Sequence, residues 1–174
     1  AGNSYYIPLK QDQYHLVKTI FEQVVNFNDT TFYDVSGWTL PLAFDLTSIK
    51  IESPKGLSIS NAPWQPTTKD ITSPTKEAYA YAFEWQHYQA PKLLNNLLNE
   101  GVDARVATKA FTATIGQKQQ SFKPGTIVIA KGVQQNDKWF EILTKYQKQT
   151  NIELFALNTG LTDGVNLGSP TVTP

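Results

Sequence analysis

Thr126-Ile127-Val128-Ile129-Ala130 is a continuous apolar run of strand length, entered through the turn sequence Lys123-Pro124-Gly125. A strand that is apolar at every position has both faces buried, and such strands are typical of the centre of a parallel sheet flanked by helices. Ala78 to Trp85 supports the same reading. It alternates alanine with Tyr79, Tyr81, Phe83 and Trp85, so a strand there presents small residues on one face and aromatics on the other.

Working outward, the segment after Trp85 carries Pro91 near the first turn of a helix, a stripe of Leu93, Leu94, Leu97 and Leu98, and Gly101 where a left-handed stop belongs. Arg105 to Ile115 reads as extended. Gly116-Gln117, followed by Gln119 to Phe122, then predicts a hairpin. Past the central run, Asn136 or Asp137 caps another helix with Trp139, Ile142, Leu143 and Tyr146 inward, and Ile152 to Leu157 closes the series as a strand. Strands alternating with helices of this length predict an α/β fold. The expected form is a three-layer, mostly parallel sheet with helices on both faces, flavodoxin-like, decorated by a β-hairpin insertion.

The first half carries weaker signals. Tyr5 to Leu9 reads as a short strand, and Asp12 as the cap of a helix whose stripe is Tyr14, Val17, Ile20, Phe21, Val24 and Val25. Thr31 to Val35 is rich in β-formers. Trp38 to Phe44 continues that run, but Pro41 interrupts any regular ladder, which predicts an irregular, buried segment. Residues 53–77 carry Pro54, Pro63, Pro66 and Pro74 among serines and threonines, the composition of a long loop or linker. Residues 1–174 are otherwise read as a single domain, since that length falls in the usual range.

Composition excludes whole classes of function. Lysine plus arginine equals aspartate plus glutamate at 15 each, so no field of one sign draws the chain to nucleic acid or an anionic membrane. Arg105 is the sole arginine, which argues against bidentate phosphate recognition. The absence of cysteine removes disulfides, thiolate metal sites and cysteine nucleophiles together. No apolar run approaches the ~18–20 residues of a membrane span, and Ala1-Gly2-Asn3-Ser4 does not begin a signal peptide.

The motif search leaves few candidates. His15 and His87 are the only histidines, and neither begins a His-x-x-Glu or His-Glu-x-x-His pattern, so no metal site is expected in this chain. Neither phosphate-binding glycine motif occurs. Ser36 lacks the first glycine of a nucleophile elbow, and with Asp34 reads as turn chemistry. No catalytic residue is assigned. Ligands of open parallel sheets gather at the carboxyl ends of the strands. That rule makes Glu84 and His87, together with Thr159 and Asp163 in the loop Asn158-Thr159-Gly160-Leu161-Thr162-Asp163-Gly164, the possible ligand or interface residues. Among the tryptophans, Trp38, Trp85 and Trp139 read as core. Trp64, in the proline-rich stretch, reads as a contact residue for a peptide or glycan. Asn28-Asp29-Thr30 is a glycosylation sequon.

Three stretches also resemble a known family: Thr31 to Phe44, Gly125 to Ile129, and Thr159 to Pro170. They are similar to the region following the catalytic domain in large bacterial zinc carboxypeptidase-like proteins. The region is also similar to the glutamine-amidotransferase-like α/β fold, although no cysteine is present for amidotransfer. The resemblance implies a non-catalytic accessory domain of a secreted or periplasmic peptidase. It would pack on the peptidase domain of the same parent or help to place polypeptide substrate. The only cofactor implied is zinc in that peptidase domain, held by a His-x-x-Glu pair and a distant histidine, none of which matches a position here. The alternative is an independent peptide- or glycan-binding module.

Overall fold

A computed structural model describes residues 4–23, 40–60, 62–63, 65, 70–169 and 172–173. The chain divides into two compact units, Ala1–Pro66 and Thr67–Pro174, with the division inside the proline-rich stretch. Among the described residues no helix is long and apolar enough to cross a membrane.

In the first unit, helix α1 spans Tyr14–Phe21 and a four-residue helix, α2, spans Leu40–Ala43 and packs against it. Gln13 stands at the start of α1 without a side-chain cap, so Asp12 does not fill that role. Val17 and Ile20 of the expected stripe are half-buried, whereas Tyr14 and Phe21 are exposed. Tyr5 to Leu9 forms no strand. Pro41 enters a helical turn instead of breaking a ladder, because a proline near a helix start forfeits no internal hydrogen bond. Val24, Val25, the sequon and Thr31 to Trp38 lie outside the described residues.

The second unit carries β1 (Ala80–Phe83), α3 (Ala90–Asn99), β2 (Arg105–Ala107), β3 (Phe111–Ile115), β4 (Lys118–Phe122), β5 (Ile127–Ala130), α4 (Trp139–Thr150), β6 (Phe155–Leu157) and β7 (Val172–Thr173). The main sheet has five strands in the order β6-β1-β5-β2-β7, and every neighbouring pair is antiparallel. Through β1-α3-β2 and β5-α4-β6 the chain makes two crossovers, each spanning a strand of opposite direction. This is the split βαβ connectivity of ferredoxin-like folds. The hairpin β3–β4 is inserted between β2 and β5.

These pairings overturn the expectation of a three-layer, mostly parallel, flavodoxin-like or glutamine-amidotransferase-like sheet with helices on both faces. The error has a physical origin. Two-faced burial of the β5 run and of β1 is present, but helices provide only one of the covers. Tyr81, Phe83, Ile127 and Ile129 point to the side of α3 and α4, where they meet Leu93, Leu97, Trp139 and Leu143. Ala80, Ala82, Val128 and Ala130 point to the other side, where the hairpin supplies Phe111 and Phe122 and the C-terminal segment supplies Val165, Leu167 and Val172. An apolar run reports burial and is silent about strand direction.

The anticipated alternation along β1 is real, with the alanines on the hairpin side and the aromatics on the helical side. Tyr81 is fully buried and packs near Trp139 and Phe140, with ring centroids 5.8 and 5.5 Å away. Its hydroxyl donates to the Thr75 carbonyl, and burial raises the phenol above its ordinary pKa. On the opposite face Phe111 and Phe122 stack at 4.8 Å, and Phe155 meets Phe122 edge-on at 5.3 Å. Each large side chain buried this way contributes about 1.5–3 kcal/mol.

Candidate functional site

Strand direction places the four described candidate residues. β1 runs antiparallel to β6, with Ala80 opposite Leu157 and Ala82 opposite Phe155. The carboxyl end of β1, leading to Glu84 and His87, therefore lies at the opposite end of the sheet from the carboxyl end of β6, leading to Thr159 and Asp163. The two ends of β1 are about 10 Å apart at ordinary strand rise. In a parallel sheet all four would share one edge; here they form two separate pairs. Trp64 and Ser36 lie outside the described residues.

At the first end, Glu84 is half-buried and His87 is exposed. The His87 ring serves the backbone: its Nδ1 accepts from the Gln89 amide at 3.2 Å, and its carbonyl accepts from Ala90 at 2.8 Å at the entry to α3. Trp85, expected in the core, is 41% exposed, while Trp139 is buried as expected. His15 is exposed on α1, its ring edge-on to Tyr14 at 5.1 Å.

At the second end, Thr159 and Asp163 line one open hollow of about 250 Å³ together with Thr112, Ala113, Thr114, Gln119, Leu161 and Thr162. The hairpin builds one wall. Its two-residue turn has Gly116 at φ +62°, with Gln117 outside the left-handed region, the arrangement of a type II′ turn. This fixes the register, with Ile115 and Lys118 as the hydrogen-bonded pair beside the turn. Alternation along the ladder then makes Thr114 and Thr112 members of non-hydrogen-bonded pairs, whose backbone groups point away from β4.

Thr112 uses its outward groups. Its amide donates to the Asp163 carbonyl at 2.8 Å, and the Asp163 amide donates back at 2.9 Å, a single antiparallel bridge. Beyond it the loop turns away. The Leu161 amide donates to Thr159 Oγ1 at 3.1 Å and the Thr162 amide to Asn166 Oδ1 at 3.4 Å, while the Thr162 hydroxyl donates to the Val165 carbonyl. The Leu161 amide, which would otherwise continue the ladder to Thr114, is thus engaged within the loop. Among the described residues, nothing bonds to the outward N–H and C=O of Thr114.

The lining is mostly uncharged. Among the described residues Asp163 is its one ionisable lining residue, exposed at the rim, and Leu161 is 74% exposed. Among the described residues no group of three or more His, Asp or Glu side chains is arranged to hold a metal ion. Sequence reasoning missed Thr112, Thr114 and Gln119. The alternation Phe111-Thr112-Ala113-Thr114-Ile115 does mark a polar face, but it carries no mark of which strand ends up at an edge. Comparison with protein families, curated proteins and solved structures returns no match to this chain.

Proposed function

We propose that this chain is a non-catalytic accessory module of a larger secreted or periplasmic zinc carboxypeptidase-like protein, docked through its first unit on the peptidase domain of the same parent. One observation carries the reading. Among the described residues, exposed large apolar side chains concentrate in the first unit, including Tyr5 at 70%, Leu46 at 60%, Ile49 at 83% and Leu57 at 53%. Scattered apolar side chains are normal at a surface, but a concentration of them marks a surface that another protein covers. The identity of the partner rests on the three-stretch resemblance, and zinc chemistry belongs to that partner. This chain contributes surface, not a reacting group.

The test is the intact mass and upstream peptide sequence of the native protein. The expected result is an upstream domain carrying His-x-x-Glu, a later histidine and a catalytic glutamate. Zinc-dependent carboxypeptidase activity in the isolated chain, or a native protein with no upstream peptidase, overturns the proposal.

The hollow at Thr159 to Asp163 favours a second reading, a binding module for peptide or glycan. Its polar rim and exposed Leu161 suit a ligand with both hydrogen-bonding and apolar groups.

A further inference from the structure

Resting on that second reading, we infer that the outer edge of β3 receives an extended polypeptide as an added strand, with Thr114 making the backbone hydrogen bonds over the hollow. An added strand is recognised by backbone donors and acceptors at strand spacing, with side-chain pockets giving preference. Thr114 presents one N–H and one C=O outward from an exposed strand position. The same edge already accepts a partner one step earlier, in the Thr112 bridge to Asp163, so the added strand continues an existing pairing.

The occupant follows from the chemistry of the rim. β3 itself, Phe111 to Ile115, carries no charge and no proline, the features that natural edge strands use to repel a partner. The opposite edge of the hairpin is blunted: Lys118 opens β4, and the Gln120 side chain donates to the Ser121 carbonyl at 3.1 Å. Asp163 is the only charge lining the hollow and has no ion-pair partner among the described residues, so a lysine or arginine on the peptide complements it. Leu161, exposed beside it, covers an apolar side chain. The ligand class is an extended, β-prone segment with at least one basic residue.

The experiment uses the full chain labelled with ¹⁵N and an acetylated, amidated hexapeptide of alternating valine and lysine. Its counterpart, N-methylated throughout, lacks backbone donors. The unmodified peptide is expected to shift the Thr114 amide and slow its exchange about tenfold or more at saturation. The N-methylated peptide is expected to bind about tenfold or more weakly. Thr114→Pro removes the donor at an edge position where proline is tolerated, and should abolish binding while retaining the far-UV spectrum. Asp163→Asn should weaken the lysine peptide and leave an all-valine and threonine peptide unchanged.

Equal binding of the N-methylated peptide overturns the inference even if Thr114→Pro fails to fold. So does a titration that leaves the Thr114 amide unmoved. An oligosaccharide that shifts Thr159 to Asp163 without the Thr114 amide also overturns it, while keeping the binding-module reading. Protection of Thr114 in a dimer without peptide overturns it in favour of a second copy of this chain.

Discussion

Gly164 and Gly160 show how closely the loop after β6 is fitted to its neighbours. Gly164 has φ +103°, and a Cβ there would stand 2.9 Å from the Ala110 carbonyl oxygen, which is backbone and cannot swing aside. Gly164→Ala is expected to cost about 1–3 kcal/mol from its conformation alone, with more from the clash, read as a fall in unfolding free energy by urea titration. At Gly160 the obstacle is the Tyr79 ring, whose nearest atoms would lie 2.8 Å from an added Cβ. Tyr79 is 44% exposed, so the ring can move. Gly160→Ala is therefore expected to cost less than Gly164→Ala, and Tyr79→Ala should relieve part of that cost in a double-mutant cycle. The sequence marked this loop as glycine-rich and a candidate cleft lining. The identity of the atoms facing each glycine depends on the hairpin and on β1, distant segments that no local pattern specifies.

Among the elements, α3 is the most legible from sequence because its signals are local. The Gly101 amide donates to the Leu98 carbonyl at 3.0 Å and the Val102 amide to the Leu97 carbonyl at 2.9 Å, the paired bonds of a Schellman stop. Val102 and Leu97, both buried, provide its apolar contact. Leu98 departs from the expected stripe, being 53% exposed. The start of α4 was half legible. Lys138 stands at the helix start without a side-chain cap, so neither Asn136 nor Asp137 fills that role. Asn136 Oδ1 instead accepts from the Lys138 amide at 2.9 Å in the turn before the helix, and its side-chain amide donates to the Glu100 carbonyl at 3.0 Å, tying the two helices together. Asn136→Ala is expected to cost about 1–2 kcal/mol, measurable by thermal unfolding.

Glu100 makes a second tie, accepting from the Tyr146 hydroxyl at 2.7 Å and from Lys145 at 3.4 Å. The Tyr146 hydrogen bond first and Lys145 second hold its carboxyl below the usual glutamate value. A lowered folded-state pKa contributes stability that is present above the ordinary glutamate pKa and is lost as pH falls through the folded value. Glu100→Gln should therefore be less stable than the parent sequence at neutral pH. The difference should shrink on acidification below the usual glutamate range, in melting curves recorded across that window. Because the group is exposed, added salt should also reduce the difference.

At the scale of the whole molecule, the order of strands and helices was largely readable, and the arrangement of the sheet was not. Periodicity located β1, α3, β5, α4 and the hairpin because burial of each element leaves a local trace. Direction leaves none. The antiparallel order follows from which cover each sheet face receives, and the hairpin with the C-terminal segment occupies the face that helices were expected to fill. The predicted site shared that fate, since Glu84 and His87 meet Thr159 and Asp163 only if the strands run the same way. Phe122 anchors the unexpected cover, stacked on Phe111 and edge-on to Phe155. Phe122→Ala is expected to cost about 3–5 kcal/mol by denaturant titration.

The docking proposal is also a whole-molecule claim, and hydroxyl-radical footprinting of the native protein beside this chain in isolation tests it most directly. Oxidation of Tyr5, Leu46, Ile49 and Leu57 is expected to drop severalfold in the native protein, while Tyr88 and Leu98, exposed in the second unit, react as in the isolated chain. Equal oxidation of Tyr5, Leu46, Ile49 and Leu57 in both samples would contradict the accessory reading, because the apolar surface that motivates it would then stay uncovered in the assembled protein.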